Sequence, residues 1–263
     1  MQRLNVLVIG ATGSVGRLVV AEALAKGHKV RALVRNLSRA DRLPGVDIAV
    51  GDVTKPDTLR QALDDIDAVV LSVNADGQGK EAAEAVYYRG VRDLLNLIGR
   101  RRVRIALMTT IGVTERRGSY NRSNEGHDWK RRAERLLRQS GFDYTIIRPG
   151  WFDYNDSDQH DLVFLQGDRR HAGTPGDGVI ARKQIAEVLI GSLTLKAANR
   201  KTFELVAEKG PAPADLEPLF AALQADPVDA LDAVLDLDNM PLYQEPERVR
   251  RDLKEAALNR SAV

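Results

Sequence analysis

Residues 6–20 read Val6-Leu7-Val8-Ile9-Gly10-Ala11-Thr12-Gly13-Ser14-Val15-Gly16-Arg17-Leu18-Val19-Val20, and their reading decides the fold. Four consecutive apolar residues before a glycine predict a short strand covered on both faces. After Gly16 the apolar spacing becomes helical, and Gly27 is a natural stop. A helix that starts where such a strand ends presents free N–H groups and a positive dipole end at the turn, which suits a phosphate. The glycines have separable roles. Gly10 turns the chain off the strand, Gly13 lets backbone approach a pyrophosphate, and Gly16 lets the helix pack on the strand. The spacing is G-x-x-G-x-x-G, not G-x-G-x-x-G, so the weight comes from the strand before it and the helix after it. The alternative is a tight turn that binds nothing.

Working outward, Lys29 to Arg35 reads as a second strand, completing a β-α-β unit. A unit that binds NAD usually carries Asp or Glu at this strand end, for the ribose 2′-hydroxyl. Here Arg35 stands there, followed by Asn36, Ser38 and Arg39. An arginine grips a 2′-phosphate that a carboxylate would repel, so the expected cofactor is NADP(H) before NAD(H). Val46 to Val53 is a third strand. Asp52 at its end is a candidate partner for the adenine amino group or, equally, a turn cap ahead of Thr54. A helix is expected from Pro56 to Leu63, a fourth strand over 67–74, and a long helix from Glu81 to Ile98. The run Arg100, Arg101, Arg102 and Arg104 reads as a solvated turn. A fifth strand ends in Thr109 and Thr110, Gly112 to Gly126 is a polar loop, and His127 to Gln139 is a helix. Its apolar stripe is Trp129, Ala133, Leu136 and Leu137, with Lys130 at the border. Tyr144 to Arg148 is a sixth strand, ended by Pro149-Gly150.

Six alternations of strand and helix predict an α/β fold, a Rossmann-type doubly wound parallel sheet. The Rossmann core is expected over 1–150. Residues 151–263 read as a smaller substrate-side region packed on it, with a long loop over 153–177, a helix over 179–193, a late strand over 202–206 and three C-terminal helices.

Composition narrows the class. The chain has 263 residues and a formal charge of +2, with no cysteine. The size suits one large α/β domain, and the balanced charge gives no nucleic-acid footprint. Disulfide, thiolate and Cys-ligated zinc chemistry are excluded, and a reducing, cytoplasmic setting is expected. A strand entered within ten residues predicts no signal peptide, and no apolar run has transmembrane length. His160 and His171 with nearby Asp156, Asp158, Asp161 and Asp168 are too irregular for a metal site, so none is expected.

The chain resembles the atypical short-chain dehydrogenase/reductases, in their NmrA-like or NAD(P)H-binding branch. The resemblance rests on Gly10 to Gly16, Leu33-Val34-Arg35-Asn36, Gly51-Asp52-Val53, Tyr88 to Leu94, Ser140 to Gly150 and Ile180 to Ala186, and covers about residues 4–207. It implies that Gly10, Thr12, Gly13, Ser14, Val15 and Gly16 line the pyrophosphate and that Arg35 and Asn36 meet the 2′-phosphate end. Asp52 and Val53 would flank adenine, and Ser72, Val73 and Asn74 would border its ribose. Pro149, Gly150, Trp151 and Phe152, with Thr109, would lie toward the nicotinamide. Lys130 occupies the family's lysine position, where an ammonium holds the nicotinamide ribose and lowers the pKa of a nearby acid.

One departure stands out. The family carries Tyr four residues before that lysine, and here the position is Gly126. The hydroxyl after the fifth strand is also displaced, with Ile111 at the matching place and Thr110 beside it. Substitutes are His127, three residues before Lys130, and Tyr154, after the Pro-Gly turn; Tyr120 in the polar loop has no assigned role. The reading favoured is an NADPH-dependent reductase of a small carbonyl or quinone-like acceptor. The alternative is a non-catalytic NAD(P) sensor that binds a partner protein, and homodimerisation stays open. An epimerase with tightly held NAD fits less well, because Arg35 points to the 2′-phosphate.

Overall fold

The computed structural model describes residues 2–261. Its strands are β1 Asn5–Ile9, β2 Lys29–Val34, β3 Asp47–Val50, β4 Ala68–Leu71, β5 Arg104–Met108, β6 Tyr144–Pro149, β7 Trp151–Phe152, β8 Asp161–Leu165, β9 Val179–Ile180 and β10 Lys201–Glu208. The order is β3-β2-β1-β4-β5-β6-β10-β9-β7, with β8 also pairing β10. From β3 to β10 every pairing is parallel, while β8 and β9 run antiparallel to β10. This is the doubly wound α/β sheet expected from the alternation of elements. The strand order reverses beside β1, and the crevice at that point opens at the end of β1, where the glycine turn lies.

The continuous apolar run of β1 has a simple cause: its side chains feed two cores. Val6 and Val8 pack with Val19, Val20 and Ala23 of α1 (Gly16–Ala25) and with Ile185 and Leu189 of α6 (Arg182–Ser192). Leu7 and Ile9 point the other way, toward Val91 and Leu94 of α3 (Gly90–Ile98) and Leu136 and Leu137 of α5 (Gly126–Gln139). Alternation at period 2 therefore splits one run between opposite faces of the sheet.

Several expectations are corrected. Pro56 to Leu63 forms two short 3-10 turns, Pro56–Leu59 and Gln61–Leu63, and no α-helix. The long helix starts as α2 (Lys80–Ala83) and passes through a π-helical segment, Glu84–Arg89, before α3. The polar loop before Gly126 contains α4 (Ser119–Asn124). The long segment after Phe152 contributes β8, so it extends the sheet instead of forming one loop over the site. Residues 179–180 are strand, and helix begins only at Arg182. The C-terminal region holds α7 (Glu217–Ala222), a 3-10 turn at Leu242–Gln244 and α8 (Glu247–Ser261), not three full helices.

Much of residues 226–245 is irregular because its polar groups are committed to α5. Asp232 bridges Arg131 (2.8 Å) and Arg135 (2.6 Å), Asp226 meets Arg138 (3.1 Å), and Glu245 meets Arg132 (2.6 Å). The carbonyls of Leu231, Leu237 and Met240 accept from the same guanidinium groups. Helix α8 then seats Val249 and Leu253 in the core beside Tyr88 and Trp129. The C-terminal region thus wraps the side of α5 that faces away from the cleft.

Candidate functional site

A cavity of about 820 Å3 lies along the C-terminal ends of β1, β2, β4 and β5. The backbone of the glycine turn forms its floor. Gly10 has φ +93°, and a Cβ there would lie 2.6 Å from the Ser72 carbonyl oxygen. A Cβ on Gly16 would lie 2.0 Å from the Gly10 carbonyl, so α1 can start this close to β1 only with glycine at that position. Gly13 differs, since a Cβ there would meet only the Gly10 carbonyl, at 3.1 Å, and would otherwise project into open space. Gly10 and Gly16 close the turn, and Gly13 keeps the cleft open above it.

At one end of the cavity Arg35 and Asn36, just past β2, and Arg39, in the 3-10 turn Leu37–Arg42 that follows, line the wall. Asn36 caps the turn that follows, its Oδ1 accepting from Ser38 N at 3.0 Å. Asp52 and Val53 line the same end. Asp52 Oδ1 accepts from Thr54 N (2.9 Å) and Thr54 Oγ1 (2.8 Å), so this carboxylate caps a turn while bordering the cavity. Thr12, Ser14 and Val15 line the middle, opposite Ser72, Val73 and Asn74 of the connection after β4. Across the turn, Arg182 Nε donates to Ser14 Oγ at 3.1 Å; its guanidinium is paired with Asp153 and sits over the Phe152 ring.

The far end is lined by Thr109, Thr110, Lys130, Asp76 and Phe152. Thr109 turns its hydroxyl away, donating to Glu134 at 2.7 Å, and Thr110 donates to the Ile111 carbonyl at 3.2 Å. Lys130 is buried in α5 with its Nζ at the cavity, 3.5 Å from Asp76 Oδ1 and 4.6 Å from the centre of the Tyr87 ring. Burial lowers the Lys130 pKa, and the Asp76 carboxylate partly opposes this. Burial pushes Asp76 upward, but the Lys130 charge and the Tyr120 and Tyr87 hydroxyls outweigh it and hold Asp76 below the usual carboxylate range.

Pro149, Gly150 and Trp151 do not line the cavity among the described residues; Gly150 and Trp151 are hydrogen-bonded into the sheet, to Leu205 and Gly178. Gly16 lies beneath the turn. Tyr154 is 63% exposed and packs edge-on against Trp151, outside the cavity. The His127 ring also lies off the cavity lining. Its Nδ1 sits 3.1 Å from the Glu115 carbonyl oxygen, and burial lowers its pKa.

Three residues that no sequence pattern singles out, Tyr120, Tyr87 and Asp76, converge on Lys130. Tyr120 Oη lies 3.3 Å from Lys130 Nζ and donates to Asp76 Oδ1. Tyr87 Oη accepts from Ala75 N and lies 2.7 Å from the same Asp76 oxygen. Within the π-helical segment the buried Tyr87 reaches Asn74 and Asp76 while its neighbour Tyr88 reaches Asp252. The one signal available was Tyr120 itself, close in sequence to the glycine that replaces the family tyrosine.

Asp168 accepts from the Gly112 and Thr114 backbones and lies 3.6 Å from His171, so it clips the loop after β5. Among the described residues no cluster of three or more His, Asp or Glu could hold a metal ion. No described helix is long and apolar enough to cross a membrane. A second cavity, of about 860 Å3, lies at the N-terminal ends of the strands beside Arg100 to Arg104, away from the edge where such sheets bind ligands. Arg101 and Arg104 are spent there on backbone carbonyls.

Comparison with known proteins gives the family and the fold. The sequence profile of the NAD(P)H-binding family matches residues 10–196. The photosystem II assembly factor Ycf39 of Synechocystis sp. is 28% identical over 78% of this chain, a match that spans 63% of the relative. The sanguinarine reductase of Eschscholzia californica is 27% identical over 84% of the chain and 96% of the relative. A putative NAD-dependent epimerase/dehydratase from Bacillus halodurans superposes with a TM-score of 0.69 at 24% identity, over 84% of this chain and all of that one. The family match extends from the glycine turn through α6, taking in every residue found along the cleft from Gly10 onward, and the chain belongs to the NAD(P)H-binding family.

Proposed function

We propose that the protein is an NADPH-dependent reductase of a small carbonyl or quinone-like acceptor. The observation that carries this reading is a single cavity with cationic groups at one end and a buried lysine at the other, joined by the glycine turn. Arg35 and Arg39 would take the 2′-phosphate, the 12–15 backbone the diphosphate, and Lys130 the nicotinamide ribose. When bound, the dihydronicotinamide supplies hydride. The protein's part is to orient it beside Phe152, limit water at that end and provide a proton. The similarity to a sanguinarine reductase along nearly its whole length supports turnover of a small molecule.

Calorimetric titration with NADPH, NADP, NADH and NAD, followed by stopped-flow oxidation of bound NADPH with quinones, enones and aldehydes, tests both halves. NADPH should bind at least about tenfold more tightly than NADH, consistent with one charge-assisted contact to the 2′-phosphate. Arg35→Asp should erase or invert that ratio. Equal affinities in the wild type would remove the NADP assignment, and tight binding with no oxidation would remove the reductase.

The second reading is a dinucleotide sensor for a protein partner. It draws on the likeness to an assembly factor and on Gly126 in the tyrosine position. It requires a partner whose capture changes between NADP and NADPH.

A further inference from the structure

Gly126 removes the phenol that the lysine would ordinarily have beside it, yet the space is filled. A Cβ built on Gly126 would lie 2.6 Å from Tyr120 Oη. Tyr120 arrives from α4, the short helix just before α5. Glu125, at φ +56°, forms the left-handed link that folds α4 back on α5. The His127 ring packs against the Tyr120 ring at 4.6 Å, and Tyr120 Oη ends 3.3 Å from Lys130 Nζ. A phenol supplied from six residues upstream of Gly126 thus stands beside the ammonium, behind Asp76, which lines the far end of the cleft where Tyr120 itself does not.

A second feature concerns what these donors hold. Tyr120 and Lys130 both aim at Asp76 Oδ1, and Tyr87 Oη lies 2.7 Å from the same oxygen. An oxygen anion surrounded this way is in the setting that an oxyanion-stabilising site provides. Asp76 belongs to the β4–α2 connection, where Gly77 and Gly79 both take positive φ. It lines the cavity, and its side chain is 44% exposed, so an outward rotation would exchange its Tyr120, Tyr87 and Lys130 contacts for water. Its present place gives the buried Lys130 a counter-charge, without which an ammonium there would be costly.

We propose that Tyr120 is the acid that protonates the acceptor oxygen, and that Asp76 Oδ1 marks the seat this oxygen takes. The proposal rests on the reductase reading above. Hydride from the dihydronicotinamide forms a C–H bond at the carbonyl carbon, reducing the acceptor and oxidising the cofactor. The C=O π pair moves to oxygen, which forms an O–H bond as the Tyr120 O–H bond breaks. The phenolate is balanced by the Lys130 ammonium and recovers its proton from water. Asp76 is the resting occupant of the seat and leaves as the acceptor enters.

Two measurements test this. On cofactor-free protein, Asp76→Ala should gain saturable formate binding, read by calorimetry and thermal shift. The wild type should show none, and Asp76→Ala/Tyr120→Phe should bind at least about fivefold more weakly than Asp76→Ala, the loss of one hydrogen bond to a charged group. With NADPH and a 1,2-diketone, Tyr120→Phe should lower kcat about 100-fold or more and abolish a solvent deuterium isotope effect, with NADPH Kd within about threefold of wild type. A Tyr120→Phe enzyme with wild-type kcat overturns the proposal while leaving the reductase reading intact. Loss of NADPH binding in that variant makes Tyr120 structural and also overturns it, as does Asp76→Ala that takes no formate. A wild type that binds NADPH but reduces no acceptor overturns the reductase reading, and the acid role with it.

Discussion

Helix α5 carries buried charge on two sides, and the two sides are treated in opposite ways. Toward the C-terminal region, Arg131 reaches Asp232, Asn239 and the Leu237 carbonyl, and Arg135 takes both oxygens of Asp232 plus the Met240 carbonyl. Arg138 joins Asp226, Glu134 and Thr202. Toward the cleft, Lys130 has one carboxylate at 3.5 Å and two tyrosines. A guanidinium fixed by several acceptors has no remaining freedom and acts as structure. An ammonium with one counter-ion at the wall of a cavity can change partners, and burial there lowers its pKa.

If that contrast is right, removing charge on the two sides should damage different properties. The largest effect belongs to Arg148 on β6, fully buried and joined to Glu134, Glu204 and Asp236. Arg148→Ala leaves the buried Asp236 carboxylate without its counter-charge and takes one of two from Glu134, and should cost about 3–5 kcal/mol in urea unfolding. Any variant that remains folded should bind NADPH as before. A loss under about 1 kcal/mol would mean the network is dispensable, and the distinction between the two sides would fail.

Lys130→Met is the opposite case. Methionine replaces the stem and removes the charge, so stability should stay within about 1 kcal/mol of wild type. Turnover should fall about 100-fold, and NADPH affinity should drop with the proposed ribose contact. A variant that unfolds as readily as Arg148→Ala while keeping its kcat would place Lys130 with the structural charges.

The same contrast explains what could be read from the sequence. The sheet was legible because β1 and the glycine turn are local: four apolar residues, then glycines whose spacing is set by contacts within one strand–helix unit. Arg35 and Asp52 could be placed because each stands at the end of a predictable strand, and Lys130 because the resemblance supplies a lysine position on the helix before the sixth strand. Tyr120 could not, since its approach depends on a six-residue helix with no side-chain cap and on the space that Gly126 vacates. Thr109 looked like a cleft hydroxyl, but Glu134, distant in sequence, turns it away. The C-terminal acids gave no helical or strand period because their partners are arginines on α5, roughly ninety to a hundred residues earlier, a pairing no local pattern announces.

The smallest effect offers the finest test of the paired side, through pH. Burial would raise the Asp232 carboxyl, but the Arg135 hydrogen bonds and the Arg131 charge outweigh it and hold its pKa at about 2, against an ordinary 3.8. As the solution is acidified the unfolded chain takes up this proton first. The contact therefore contributes fully above about pH 3.8 and is lost as pH falls toward 2, a change of order 2 kcal/mol. Asp168, also held at about 2, adds to the same limb. Glu204 has the opposite sign. Burial raises it to about 7, so the folded state keeps its proton, and its contribution is lost as pH rises from 4.5 through 7. Urea unfolding of wild type and Asp232→Asn between pH 4 and 2 isolates the first term, since asparagine cannot titrate. The wild-type curve should fall more steeply and approach that of the variant at the acid end. Parallel curves would show that Asp232 carries no charge that the fold depends on, and would leave Arg135 with the Met240 carbonyl and Arg131 with Asn239 and the Leu237 carbonyl as their effective partners.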